Sequence, residues 1–344
     1  MAALIWPWLL IAVALCAARF LPLEIASGRL IPEVISALPL VIIPVAAVFL
    51  LAIFWHRAVM AVVAGMSLAL LAWWHVGFFV PSGSLSQSAH AARTPGIERS
   101  VEDGVMRIMT LNSMNGNADA EEVVSCIREN NVELLALQEV SWAFLDELAT
   151  EGIYDLLPYV AVSEGGAWDN GGLNCLFSLA PLYDVNGDLL PTELSALCAG
   201  TVEVGGRTIR FVSCHPGSPH RGGQDLWNSG LETIGSLSDY DHTYVIMGDF
   251  NSTWNHARFR ELLGTSFVDS SQHAGEGFHM TWPADIGLAT GLDVPEKVSR
   301  YCPALIEIDH IVYAADAGIF VGDLETVTIS GTDHMALLAT LECQ

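Results

Sequence analysis

The chain changes its polar rhythm near residue 81. Before that point apolar side chains run almost unbroken, and the charged exceptions are Arg19, Glu24, Arg29, Glu33 and Arg57. Three apolar runs, 2–18, 34–55 and 58–80, approach or exceed the about 20 residues that carry a helix across a hydrocarbon core. They predict three transmembrane helices in a domain spanning 1–80. The first run could instead be a cleaved signal, but it lacks a basic leading segment, and Leu15 stands where a cleavage motif needs a small residue, so a retained helix is the reading. Pro39 and Pro44 fit such a bundle, where neighbouring helices re-satisfy the backbone. Trp6, Trp8, Trp55, Trp73 and Trp74 lie near run ends, as interfacial anchors do. Residues 81–104 are rich in Ser, Ala, Gly and Pro without periodicity, which predicts a flexible linker.

From 105 to 344 short apolar stretches alternate with helical patterns. "VMRIMTLN", "VELLALQE", "GLNCLFS", "TVEVGG", "RTIRFVSCH", "TYVIMGDF", "EIDHIVYA", "FVGDLETVTI" and "HMALLATL" read as strands. "AEEVVSCIREN", "WAFLDELA", "DLWNSGLETIGSL" and "HARFRELL" read as amphipathic or short helices. This mixture predicts a layered α/β domain with one chemically active edge.

Charge narrows the function. There are 39 acidic against 14 basic residues, a formal charge of −25, and Lys297 is the single lysine. Nonspecific duplex binding depends on Lys and Arg displacing counterions, so high-affinity duplex nucleic-acid binding is not expected. The seven cysteines show no C-x-x-C spacing, which leaves disulfides and buried thiols both open.

Polar side chains collect where strands end. "MTLN" delivers Asn112, "LALQE" delivers Gln138 and Glu139, and "FVSCH" delivers His215. "VIMGDFN" delivers Asp249 and Asn251, "IEIDH" delivers Asp309 and His310, and "SGTDH" delivers Asp333 and His334. Taken singly, Asn112 could close a turn and Glu139 could cap the next helix. Gathered at one rim, Glu139, Asp249 and Asp333 would repel one another unless a cation joined them. Oxygen and amide donors select a hard ion, Mg²⁺ or Mn²⁺, and the absence of H-E-x-x-H or a cysteine cluster argues against zinc. A histidine beside an aspartate orients or deprotonates water, so the set points to phosphoester hydrolysis. Alternation turns His310 away from the site that Asp309 faces. Trp282 reads as a core or pocket-wall aromatic and Asn174 as a buttress. His220, His242 and His256 read as solvated, and Arg221 as a weaker phosphate contact.

In this order the motifs resemble the endonuclease/exonuclease/phosphatase superfamily, the group of deoxyribonuclease-I-like nucleases, neutral sphingomyelinases and inositol-polyphosphate phosphatases. The nearest likeness is to its bacterial membrane-anchored subgroup, through H-P, GDFN, T-W-P, IDH and T-D-H. The resemblance implies a four-layer α/β sandwich with two packed mixed β-sheets. It implies that Asn112 and Glu139 hold the metal and that Asp333 completes the acidic site. By the same likeness His215 contacts phosphate, Asp249 orients water, Asn251 binds phosphate or metal, and Asp309 polarises His334. The arginine count weakly favours a cytoplasmic catalytic domain, whereas the resemblance favours an extracytoplasmic one on a multi-pass membrane protein. The expected function is a membrane-anchored phosphoesterase, possible lipid headgroups among its substrates. An extracellular nuclease is one alternative and a non-catalytic scaffold or adhesion module another.

Overall fold

A computed structural model describes residues 2–28, 30–94, 100–165, 170–220 and 222–344. The N-terminal region contains α1 (Ala2–Ala18), α2 (Leu23–Ala26), α3 (Ile31–Ile35), α4 (Leu38–Phe54) and α5 (Ala58–His75), the last extended by a 3₁₀ turn over Val76–Phe78. The second apolar run becomes two elements because Pro39 sits at the start of α4, where its missing N–H costs nothing and a new helix begins readily. One helix, Ala58–Phe78, is long and apolar enough to cross a membrane, while Ile5–Ala18 and Leu38–Phe54 are shorter apolar helices. Leu9, Val45, Ala52, Met60 and Ala64 form the core between the three long helices. Trp8, Ile43, Phe54, Val62, Met66 and Trp73 face outward.

The segment expected as a flexible linker is docked over the described part of its length. Within it α6 (Gln87–Ala91) is capped by Ser86, whose Oγ accepts from Ala89 N. Ala89 is fully buried, and Ser82 N donates to His273 O. Composition hid this because small residues serve tight packing as well as free chain.

Beyond it lie β1 (Val105–Asn112), α7 (Ala120–Glu129), β2 (Leu134–Val140), α8 (Trp142–Thr150), α9 (Ile153–Leu156), β3 (Tyr159–Val162), β4 (Leu173–Ser178), β5 (Tyr183–Asn186), β6 (Cys198–Val204) and β7 (Arg207–Cys214). Then come α10 (Gln224–Gly235), β8 (Thr243–Asp249), α11 (Ala257–Leu263), β9 (Phe267–Asp269), α12 (Ser270–Ala274), α13 (Ile286–Thr290), α14 (Glu296–Tyr301), β10 (Asp309–Ala314), β11 (Ile319–Thr328) and β12 (Met335–Cys343). The strands form two six-stranded sheets, ordered β11-β12-β1-β2-β4-β3 and β5-β6-β7-β8-β10-β9. The pairs β1/β2 and β7/β8 are parallel and antiparallel pairs surround them, so both sheets are mixed.

Period-two alternation builds the layers. Met106 and Ile108 of β1, Val245 and Met247 of β8, and Ile311 of β10 fill the space between the sheets. Met109 and Leu111 face α7 and α8 on one outer side. Val212 and Ile246 face α10 and α11 on the other. The product is the four-layer α/β sandwich. Among the described residues all seven cysteines are free thiols.

Candidate active site

The central strands end together. Register places Asn112 beside Gln138 across β1/β2, Cys214 beside Gly248 across β7/β8, and Asp309 opposite Asp249 across β10/β8. Asn112 continues the inward row of Met106 and Ile108, and Asp249 that of Val245 and Met247. Gly248 is required where β8 passes β7, since a Cβ there would lie 2.0 Å from the Cys214 carbonyl oxygen.

Glu139 reaches the site by a different device. Plain alternation would send it outward with Leu135 and Leu137, toward α7 and α8. Instead the β2/β4 register shifts between Leu137 and Val140, and Glu139 takes φ 56°, a left-handed bulge that turns its side chain in. Below it Gln138 ties the sheets together, accepting from Thr110 Oγ1 (3.2 Å) and donating to Ser213 Oγ (3.0 Å).

Asp249 is the hub. Its Oδ2 accepts from Asn112 Nδ2 at 3.0 Å and lies 3.3 Å from His215 Nε2 and 3.6 Å from His334 Nε2. Its Oδ1 accepts from the Asn251 backbone N–H at 2.8 Å. Asn112 Nδ2 also donates to Glu139 Oε1 at 3.0 Å, and Glu139 Oε2 accepts from Asn115 N at 2.9 Å. Asn251 Nδ2 lies 3.2 Å from His215 Nε2, while Asn170 Nδ2 lies 3.2 Å from the other ring nitrogen. His334 Nδ1 is 2.8 Å from Asp309 Oδ2, which fixes the ring with Nε2 toward Asp249. Asp333 sits at the edge, its Oδ2 accepting from Trp282 Nε1 (3.0 Å) and its Oδ1 3.9 Å from His334 Nε2.

The charges are locked by one another. Burial pushes the Asp249 carboxyl up, but His334 and His215 outweigh it and hold it down at about 2. Burial opposes a charged His334, yet Asp309 and Asp249 lift it to about 10. His215 is likewise raised, by its hydrogen bond and proximity to Asp249 against the cost of burial. Burial raises Asp309, partly offset by His334.

Asp249, Asp309 and His334 present ligand atoms within 4.8 Å of one another. Asp309 and His334 are spent on each other, however, and a protonated imidazole is no ligand. The opposite side fits a hard divalent ion better: Glu139 and Asp249 converge from two sides on Asn112 Nδ2, giving two carboxylates held by one amide, whose Oδ1 accepts from Met114 N at 2.9 Å.

The structure therefore brings Asn112, Glu139, His215, Asp249, Asn251, Asp309 and His334 together, with Asp333 at the rim. His310 packs on the far face, 4.5 Å between ring centroids from Phe259, with Nδ1 3.2 Å from Asp269 Oδ1. Asn174 donates to Ser195 Oγ and the Ala196 carbonyl, away from the acids. His256 corrects the reading of a solvated side chain: it is 3% exposed, with Nδ1 accepting from Thr253 N and Nε2 2.8 Å from Pro32 O. His220 and His242 are exposed, and Arg221 lies outside the described residues. Sequence reasoning missed Asn170 and Gly171, whose signal was the "DNGG" punctuation before β4.

A cavity of about 770 Å³ opens over these groups, lined also by Met114, Trp282, Leu288 and Ile306 from the α/β sandwich and by Pro32, Glu33 and Ser36 from the N-terminal region.

Residues 109–334 match the model of the Endonuclease/Exonuclease/phosphatase family. No curated protein matches. In fold the chain is similar to an endonuclease/exonuclease/phosphatase family protein from Leptotrichia buccalis C-1013-b, at 17% identity over 69% of this chain and 99% of that one, TM-score 0.50. It is also similar to D. rerio TDP2 complexed with single strand DNA product, at 15% identity over 70% and 100%, TM-score 0.54. Truncated Caenorhabditis elegans TDP2 is similar too, at 16% identity over 70% and 99%, TM-score 0.51.

Proposed function

Since the chain belongs to the endonuclease/exonuclease/phosphatase family, a phosphoester hydrolase fold, we propose that it is a membrane-anchored, Mg²⁺-dependent phosphodiesterase or phosphatase acting outside the cytoplasm. The observation that carries this reading is the convergence of Asn112, His215 and His334 on one oxygen of Asp249, with Glu139 joined through Asn112. A scaffold module has no need of that set.

Glu139 and Asp249 are the residues that would hold the ion, with Asn112 positioning both carboxylates. When bound it neutralises phosphoryl charge, the main demand of phosphoryl transfer. Asp249, anionic at working pH, takes the hydrogen bond of the attacking water and aligns it. His215 and His334 aim their Nε2 atoms at the same point and donate to phosphoryl oxygens as charge grows there. Asp309 keeps His334 in that orientation and charge state, and Asn251 flanks His215 on the substrate side.

Membrane anchoring is supported by the outward apolar faces of α1, α4 and α5, since helices apolar all round are buried in protein or in lipid. A lipid headgroup is favoured over duplex nucleic acid because no Lys or Arg is among the described residues that line the cavity.

The test is hydrolysis of bis-p-nitrophenyl phosphate with and without Mg²⁺, in the wild type, Asp249→Ala and His334→Ala. Loss of about 10²–10⁴-fold in each variant is expected, and unchanged turnover in both refutes the mechanism. Efficient plasmid cleavage with no product from liposomes would reverse the substrate preference.

A further inference from the structure

The loop that leaves β8 carries part of the site, and the N-terminal region holds its far half. Residues 251–256 follow Asp249 almost directly, and the site depends on their course. The Asn251 backbone N–H donates to Asp249 Oδ1 at 2.8 Å, and Asn251 Nδ2 lies 3.2 Å from His215 Nε2. Asn251 takes φ 49°, a left-handed conformation that a residue with a side chain keeps only where its surroundings impose it.

The near half of the loop is imposed by the α/β sandwich. Phe250 N donates to Ile308 O at 2.9 Å, Trp227 Nε1 to Ser252 Oγ at 3.0 Å, and His310 Nε2 to Ser252 O at 2.8 Å. At Trp254 the partners change. Arg19, just past α1, donates to Asn255 Oδ1 at 2.9 Å and to the Trp254 carbonyl at 3.3 Å, with its guanidinium 4.8 Å from the centre of the Trp74 ring. Trp254 Nε1 donates to Trp74 O near the end of α5 at 3.1 Å. Burial holds the His256 pKa down at about 4, so the ring is neutral. Its Nδ1 accepts from Thr253 N (2.8 Å), which leaves the proton on Nε2 to donate to the Pro32 carbonyl of α3 (2.8 Å). From the sandwich side Arg260 donates to the Trp254 and Asn255 carbonyls. Thr253, Asn255 and His256 are buried, so a lost partner leaves a polar group with no water to replace it.

Three separate points of the N-terminal region therefore grip a stretch that begins three residues after Asn251. We propose that this region is a working part of the active site, with Arg19 and His256 as positioning residues that fix the 251–256 loop and, through it, Asn251 and Asp249. The inference rests on the phosphoesterase reading above and needs no property of the bilayer.

The test follows kcat for bis-p-nitrophenyl phosphate with the full chain, well below each variant's thermal midpoint so that a purely structural loss does not enter. His256→Asn keeps the acceptor for Thr253 N but cannot reach Pro32, whereas His256→Gln keeps the donor to Pro32. The Asn variant should lower kcat about 10²-fold, the scale of a misplacement of about 1 Å, and the Gln variant should recover most of it. Arg19→Met keeps the stem against Trp74, removes both donors and should lower kcat about tenfold or more; it carries the test alone if His256→Asn does not fold. In an Asn251→Ala background the cost of either substitution should shrink several-fold, because residues that act through one another are not additive. A lowered midpoint with unchanged kcat in both His256→Asn and Arg19→Met overturns the inference alone, as does full additivity with Asn251→Ala. Failure of the wild type to hydrolyse the diester overturns the phosphoesterase reading and this inference with it.

Discussion

Gly171→Ala separates the metal cradle from the fold. Gly171 has φ +82°, and a Cβ built there would stand 2.4 Å from Glu139 Cδ and 2.5 Å from its Oε2. An alanine at that φ costs about 1–2 kcal/mol in backbone strain. The clash itself falls on the end of a flexible side chain, so the carboxylate yields and the fold survives. To regain ordinary contact it must retreat by about 1 Å, well outside the roughly ±0.2 Å tolerance of a metal–oxygen bond. Loss of that ligand should weaken Mg²⁺ binding by about 100-fold or more. Gly206→Ala is the matched control, with φ +77° and nothing within 4 Å of its Cβ. Calorimetric titration with Mg²⁺ and Mn²⁺, beside thermal unfolding, should show similar destabilisation in both variants but weakened metal binding in Gly171→Ala alone. Equal metal affinity in the two would refute the assignment of Glu139 as ligand.

Asp309→Asn removes the charge that most raises His334. The His334 pKa should fall from about 10 toward the ordinary imidazole range by NMR titration, with kcat/KM lowered about 10²–10⁴-fold. Glu307 is a buried acid that burial raises to about 8, so the folded state binds its proton more tightly and loses stability as pH rises from about 4.5 to 8. Glu307→Gln should therefore stabilise the fold at pH 9 by roughly 1–3 kcal/mol, read as a higher thermal midpoint, and leave the midpoint unchanged at pH 4. Chelation should weaken binding of inorganic phosphate, read by calorimetry, to what His215 and His334 supply, because the described cavity wall carries no Lys or Arg to replace the ion.

The order of strands and helices was legible because buried strands repeat every two residues and helices every 3.6. The same alternation foretold that Asp309 faces the site and His310 the opposite side. It failed at Glu139, where a left-handed residue inside β2 breaks the period, a conformation no local residue type signals. The strands β3, β5 and β9 escaped notice because, at three or four residues, they are too short to show a period. His256 escaped because its partner is the Pro32 carbonyl, 224 positions away. A backbone acceptor leaves no mark in composition, so a buried histidine looked like a solvated one.

The acidity of the chain and its proposed substrate are opposed only at long range. Screening confines the field of exposed charges to about 8 Å at physiological ionic strength, so the surface discourages a long polyanion, which must meet many charges, far more than a single phosphodiester. Within the cavity the local balance differs. The acids beside them raise His215 and hold His334 cationic against the cost of burial, and a dication on Glu139 and Asp249 would turn the phosphate end of the cavity more positive. A single phosphodiester needs only that end, whereas a nucleic-acid backbone must also cross the acidic surface around it.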